Sequence, residues 1–180
     1  NLKIINNYMI NEVVENDCRY ILKNTKLTKF NKSKVLILGG NSFIASYIQA
    51  TLNFIDCNIT SISLNKPKGL FKDIFHNSKI NFYKFDLNNE KKLKKILNKK
   101  FDFIFHCATY GQPKKWENNE LNTVNLNINI LKIIIDHSIK YKSRILYLSS
   151  ALVYAIPKNK SQIISEVSEL GVGTFPTEKI

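Results

Sequence analysis

The sequence predicts an α/β fold: a doubly wound parallel sheet carrying an N-terminal helical extension. Two observations point there. Short apolar runs alternate with amphipathic stretches at intervals of roughly 25–30 residues, the rhythm of strand–helix–strand units. Each run also ends in a small or polar cluster at its carboxyl end, the edge at which sheets of this kind hold ligands.

Lys34-Val35-Leu36-Ile37-Leu38 reads as the first, buried strand. The pair Gly39-Gly40 then turns the chain, and apolar residues recur at helical spacing through Phe43, Ile44, Tyr47, Ile48, Leu52, Phe54 and Ile55. Strand, tight glycine turn and helix in that order form a phosphate cradle. Backbone N–H groups can approach a pyrophosphate, and the helix N-terminus adds about half a positive charge. The spacing Gly39-x-x-Ser42-x-x-Ala45 follows a dinucleotide fingerprint with Ser and Ala at the second and third small positions. Ala keeps close helix–strand packing, whereas Ser is a mild departure. Plain strand–helix turns use glycine pairs too, so a ligand is implied only if the other strand ends supply groups to hold it.

Ahead of this strand, residues 1–33 carry a helical pattern at Tyr8, Ile10, Val13, Val14, Cys18, Ile21 and Leu22, then a basic linker. The expected organisation is a helical extension over 1–33, packed on the body, and one domain over 34–180. Asn58 to Leu64 alternates as a second strand and ends in the turn Asn65-Lys66-Pro67-Lys68-Gly69. A dinucleotide site often places an acid there for the ribose 2′-OH. Ser63, Asn65, Lys66 and Lys68 stand there instead, which suits either a 2′-phosphate or a solvated basic turn.

Leu70 to Phe75 reads as a short helix and Lys79 to Phe85 as a third strand. Asp86-Leu87 comes next, with Asp86 placed either to accept from an adenine amino group or to cap the next helix. That helix, Asn88 to Lys99, sets Leu93, Ile96 and Leu97 against a solvated lysine face. Phe101 to Ala108 is continuously apolar and reads as a fourth, fully buried strand, with His106 a hydrogen-bonded core histidine. It opens into Thr109 to Trp116, whose small residues leave room for a ribose or nicotinamide edge. A long helix from Glu117 to Ser138 bears Leu121, Val124, Ile128, Leu131, Ile134 and Ile135 on one face, with Asn125 beside it. Arg144 to Ser150 is a fifth strand ending in two hydroxyls. Val153-Tyr154, a polar loop and a helix start over Gly173 to Lys179 complete the chain.

The chain of 180 residues suits one domain with a real core. Its net charge of +13 comes from lysines spread throughout, without interleaved aromatic motifs, so it reads as compositional bias and no nucleic-acid partner is expected. Cys18, Cys57 and Cys107 have no metal-ligand spacing; they read as buried free thiols of a reducing cytoplasm, and no metal is expected. No apolar run approaches a membrane span, so neither membrane insertion nor export is expected. The sequence stops in what reads as a helix start, which suggests part of something longer.

Over residues 33–180 the sequence resembles the extended short-chain dehydrogenases, the NAD-dependent epimerase/dehydratase group acting on nucleotide-activated sugars. Gly39-Gly40-Asn41-Ser42-Phe43-Ile44-Ala45 is similar to that family's Gly-Gly-x-Gly-Phe-Ile-Gly. Phe85-Asp86-Leu87 resembles its adenine-contacting Asp-Leu. Phe101 to Ala108 resembles its Asp-x-Val-x-His-x-Ala-Ala strand. Asn125 matches its helix Asn, and Ser149-Ser150-Ala151-Leu152-Val153-Tyr154 its Ser-Ser-x-x-Val-Tyr segment. The resemblance implies a Rossmann dinucleotide-binding domain over 34–180, with the C-terminal substrate domain absent from this chain. It also implies NAD or NADP as cofactor, a nucleotide-activated sugar as substrate, and a homodimer. Cofactor contacts are then implied at Gly39, Asn41, Ser42, Phe43, Ile44, Asn65, Asp86, Leu87, Cys107, Ala108, Thr109, Asn125, Ser149 and Lys179.

Chemistry in this family needs a Ser or Thr, a Tyr and a Lys: the Tyr takes a proton from a sugar hydroxyl while hydride leaves for the cofactor. Ser150 occupies the hydroxyl position. Tyr and Lys should stand four apart, and the match here is Phe175-x-x-x-Lys179. Phenylalanine has no proton to exchange, which implies an inactivated or naturally deficient variant. Dehydratases and decarboxylases of the family resemble acid-bearing segments where this chain has Ala151 and Leu152. That favours an epimerase or keto-sugar reductase, with a catalytically deficient cofactor-binding member of the same fold, or a nucleotide-sugar dehydratase or decarboxylase, as the alternative.

Overall fold

A computed structural model describes residues 10–75, 79–109, 117–150, 153–154 and 164–168. The chain divides into two units, Asn1–Tyr147 and Leu148–Ile180. The first holds the sheet and every helix named below.

Five strands, β1 (Lys34–Leu38), β2 (Asn58–Ser63), β3 (Ile80–Lys84), β4 (Phe103–His106) and β5 (Arg144–Tyr147), form one sheet in the order β3-β2-β1-β4-β5. All pairs are parallel, with Val35 beside Ile59 on one side and Phe103 on the other. The doubly wound parallel sheet expected from the sequence is therefore present. Its order reverses at β1: β2 and β3 build outward one way, β4 and β5 the other. A crevice opens at such a reversal because the connections leave β1 and β4 towards opposite faces.

Alternation along β1 sorts the core. Leu36 and Leu38 join Ile62, Ile104 and the buried Leu93, Leu126, Ile130 and Ile134 on one face of the sheet. Those residues come from α3 (Glu90–Ile96) and from a long helical stretch. That stretch runs through α4 (Glu120–Val124), a π-helical turn over Asn125–Asn129, and α5 (Ile130–Tyr141). A separate cluster unites α1 (Glu12–Asn24) with α2 (Phe43–Asn53) through Val14, Cys18, Ala50 and Phe54. Asn11 caps α1 by accepting from the Val13 N–H. Tyr47 donates to Asp17 at 2.6 Å across the same contact. The extension thus packs on the body through its buried stripe, while Val13, part of the sequence pattern, faces water.

Leu70 to Phe75 is a short 3₁₀ turn, Gly69–Phe71, followed by irregular backbone instead of a helix. The N–H groups of Phe71, Lys72 and Ile74 bond to the carbonyls of Lys68, Gly69 and Phe71, three residues back, so the segment closes in tight turns instead of an α-helical ladder. Among the described residues no helix is long and apolar enough to cross a membrane.

Candidate functional site

The two glycines after β1 are demanded by different neighbours. Gly39 has φ 79°, and a β-carbon on it would lie 2.6 Å from the Ala108 Cα and N. The turn after β1 therefore lies directly against the chain leaving β4. Gly40 needs space: a β-carbon there would lie 2.0 Å from the Ser61 Oγ. Both of their N–H groups donate to the Ile62 carbonyl, which locks the turn onto β2.

Ser42, the departure from the expected glycine, has an ordinary φ of −74° and is the N-cap of α2. Its Oγ accepts from the Ala45 N–H at 3.4 Å. Ala45 is fully buried, which keeps α2 close to the sheet. Among the described residues none accepts a hydrogen bond from the N–H of Asn41, Phe43 or Ile44. Three donors at a helix N-terminus with no internal partner are what an anionic group requires.

Of these three residues Asn41 lines a crevice of about 110 Å³, together with Gly39, Ser42, Ser63, Leu64, Phe85, Asp86, Leu87, Cys107, Ala108, Thr109 and Leu126. Four strand ends converge on it: β1 through the glycine turn, β2 through Ser63, β3 through Asp86 and β4 through Ala108. The crevice is built wholly within the first unit. Eight of the residues named from the sequence line it: Gly39, Asn41, Ser42, Asp86, Leu87, Cys107, Ala108 and Thr109.

Local chemistry sets what each can do. Asp86 is exposed and accepts from the Asn88 N–H at 2.9 Å, while Asn89 caps α3 by accepting from the Lys92 N–H. The carboxylate is thus fixed by its own turn and keeps acceptor capacity towards the crevice. Leu87 is buried in the core and presents only an apolar wall. Burial pushes the Cys107 thiol up to about 11, so it stays protonated and is no nucleophile.

Asn125 stands one layer back. Its Nδ2 donates to the Asn88 Oδ1 at 2.8 Å, and its Oδ1 accepts from Asn129. Phe43 and Asn65 are exposed and outside the crevice lining, and Ile44 borders a different hollow. Ser149 and Ser150 belong to the second unit, where both are exposed and the Ser150 carbonyl accepts from the Val153 N–H. Phe175, Lys179, Ala151, Leu152 and the loop over 110–116 lie outside the described residues.

The sequence pattern did not mark Leu64, Phe85 or Leu126, all apolar walls, and Leu126 has the least visible cause. In the π-helical turn the Ile130 N–H bonds to the Asn125 carbonyl. The Leu126 carbonyl, which an α-helix would pair with that same N–H, instead accepts from His106 Nε2 at 3.2 Å. His106 is 1% exposed, and burial holds its pKa below the ordinary value. A neutral imidazole donating from Nε2 is a structural tie between β4 and the helix, as expected of a core histidine.

Two other hollows differ in chemistry. One of about 230 Å³ is lined by Ile21, Leu27, Phe30, Ile44, Tyr47, Ile48, Thr51, Leu52 and Phe105. Its two hydroxyls are already spent, Tyr47 on Asp17 and Thr51 on Cys18, so nothing there orients a polar ligand. A trough of about 560 Å³ beside α3 is lined by Lys84, Lys92, Lys95 and Lys99 around Tyr83 and Phe85, and is the solvated lysine face. Among the described residues no group of three or more His, Cys, Asp or Glu could hold a metal ion.

With the crevice at the sheet's reversal point in view, the family model for the NAD dependent epimerase/dehydratase family matches residues 35–174. The chain belongs to that family. The match begins at β1. The bifunctional polymyxin resistance protein ArnA of Wigglesworthia glossinidia brevipalpis is 31% identical over 162 residues, 89% of this chain and 24% of that protein. Among solved structures, the PbgP3 protein from Burkholderia pseudomallei superposes with a TM-score of 0.64 at 21% identity, over 79% of this chain and 42% of that one. UDP-glucose 4-epimerase from Bifidobacterium longum, in complex with NAD+ and UDP, gives 0.62 at 20%, over 77% and 43%. These likenesses carry the Rossmann-like fold. The chain spans about a quarter of the curated relative's length and under half of each structure's.

Proposed function

We propose that this chain is the cofactor-binding part, over 34–180, of an NAD(P)-dependent nucleotide-sugar epimerase or keto-sugar reductase. The observation that carries this reading is the crevice itself, where the turn Gly39, Asn41 and Ser42 ahead of α2 meets the ends of β2, β3 and β4, with the Asn41 N–H given no partner among the described residues. That N–H and Ser42 would hold the dinucleotide's diphosphate, and Asp86 would accept from its base. The bound nicotinamide would take and return a hydride at a sugar carbon. Ser150 would hold the substrate hydroxyl and Lys179 a cofactor ribose. Ala151 and Leu152 offer no acid for elimination or decarboxylation, which supports epimerase or reductase chemistry.

Phe175 stands where that chemistry needs a tyrosine. The protein is therefore expected to bind cofactor yet turn over sugar nucleotides poorly. Phe175→Tyr in the full-length protein should raise turnover by on the order of 10²–10⁴-fold, the usual worth of a general base. The test is steady-state kinetics across a panel of nucleotide sugars, with mass spectrometry for co-purifying dinucleotide. Full turnover with Phe175 in place would reject the assignment of that position. Bound dinucleotide with no turnover, even in the tyrosine variant, would favour a non-catalytic, cofactor-binding member instead.

A second copy of the chain is the partner proposed for the helical stretch α4–α5. Leu121, Val124, Ile128, Ile135 and Ile139 lie exposed along it, Leu121 at 86% and Ile139 at 74%. An apolar stripe of that length is costly to leave in water. Sedimentation velocity should show a dimer in the native protein and a monomer in Ile128→Glu. The buried thiols of Cys18, Cys57 and Cys107 support a reducing, cytoplasmic setting.

A further inference from the structure

We infer that Gln49 is a positioning residue for the diphosphate: it holds the Gly40 carbonyl from the α2 side of the glycine turn and so aims the Asn41 N–H into the crevice. This rests on the cofactor reading above and deepens it. A planar trans peptide sends its C=O and its N–H in opposite directions. No described peptide bond is cis. Whatever fixes the Gly40 carbonyl therefore fixes the Asn41 N–H, which belongs to the same peptide unit.

Gln49 lies in α2, fully buried, and its Nε2 donates to the Gly40 carbonyl at 2.6 Å and to the Ala45 carbonyl at 3.1 Å. Two carbonyl acceptors settle which end of the amide points there, since only the NH₂ can donate. The rest of the turn is tied internally. The Gly39 and Gly40 N–H groups donate to the Ile62 carbonyl, and the Ser42 N–H donates to the Gly39 carbonyl. Across Gly39 to Ser42, Asn41 alone keeps an N–H with no acceptor among the described residues, and Asn41 lines the crevice. The turn thus leaves one donor for a ligand, and the side chain bonded to the other end of its peptide sets its direction. Packing does not call for a glutamine here. Its Oε1 is buried with no partner among the described residues, a cost that leucine or methionine of similar volume would not carry. What the amide adds, and they cannot, is the pair of donated bonds that fastens the turn to α2.

The test is titration calorimetry of the whole chain with NAD+ and NADP+, following whichever binds the wild type more tightly, with circular dichroism to check that each variant is folded. Gln49→Leu keeps the volume and removes the donor, and should bind the dinucleotide at least tenfold more weakly. Gln49→Glu supplies a readout that loosened packing would not move. A protonated carboxyl donates to the Gly40 carbonyl, whereas a carboxylate repels it. The deficit of Gln49→Glu against the wild type should therefore be at least tenfold at about pH 9 and shrink to threefold or less at about pH 5, while that of Gln49→Leu stays the same at both. If Gln49→Leu does not fold, Gln49→Glu decides alone. Affinity within twofold of the wild type in folded Gln49→Leu, or a Gln49→Glu deficit that does not narrow as pH falls, would overturn the inference and leave the cofactor reading standing. Binding of neither dinucleotide by the folded wild type would overturn the cofactor reading and this inference together.

Discussion

At Gly39, two constraints meet on one α-carbon: a φ of 79° and the Ala108 backbone within 2.6 Å of any added carbon. Gly39→Ala is expected to cost about 2 kcal/mol or more, read as a lowered urea midpoint, since left-handed strain alone costs roughly 1–2 kcal/mol. His106 gives a pH signature. Its folded pKa is depressed by burial, so below about 6.5 the unfolded chain binds the extra proton more readily. Stability should therefore fall as pH drops through that range, and His106→Gln should flatten the slope. Asp102 acts in a lower window. Its carboxylate, held below its ordinary range first by the Lys34 N–H and then by Lys100, adds stability that is lost only below about pH 4. Urea denaturation across pH 3–8 separates the two.

Among elements, the contact between α1 and α2 makes the sharpest contrast. Val14 is 1% exposed and Val13 57%, neighbours on one helix with opposite fates. Val14→Ala should cost about 2 kcal/mol, from two methyl groups and the cavity they leave. Val13→Ala should stay within about 0.5 kcal/mol. The sequence pattern included both positions, because helical spacing marks a stripe wider than the contact it serves. Strand positions were legible for a firmer reason: five apolar runs bounded by turns admit little else in a parallel sheet. The glycine turn and Asp86 could be read because backbone constraint and charge leave a mark on residue type. Leu126 left none. Its approach to the crevice follows from a one-residue irregularity in a helix whose composition reads as regular, and a π-helical turn has no composition of its own. Ser42 looked like a flaw in a glycine motif until its role as a cap, at an ordinary φ, removed the need for glycine.

For the whole molecule, ligand and fold are linked through the reversal of strand order. Any dinucleotide that fills the crevice binds the native state alone, so at a hundredfold excess over its Kd it should add about 2.7 kcal/mol, measurable as a raised Tm. The same reversal has a consequence for how the chain is made. β1 sits at the centre, yet its second neighbour pairs Phe103 with Val35, 68 residues later by subtraction. At ribosomal speeds of roughly 5–20 residues per second, the hydrophobic flank of β1 waits about 3–14 s for that strand to emerge. Until then Gly39 has no Ala108 to rest against and the crevice lacks the wall that Cys107, Ala108 and Thr109 supply. The nascent polypeptide must be kept from sticking to its neighbours by something other than its cofactor.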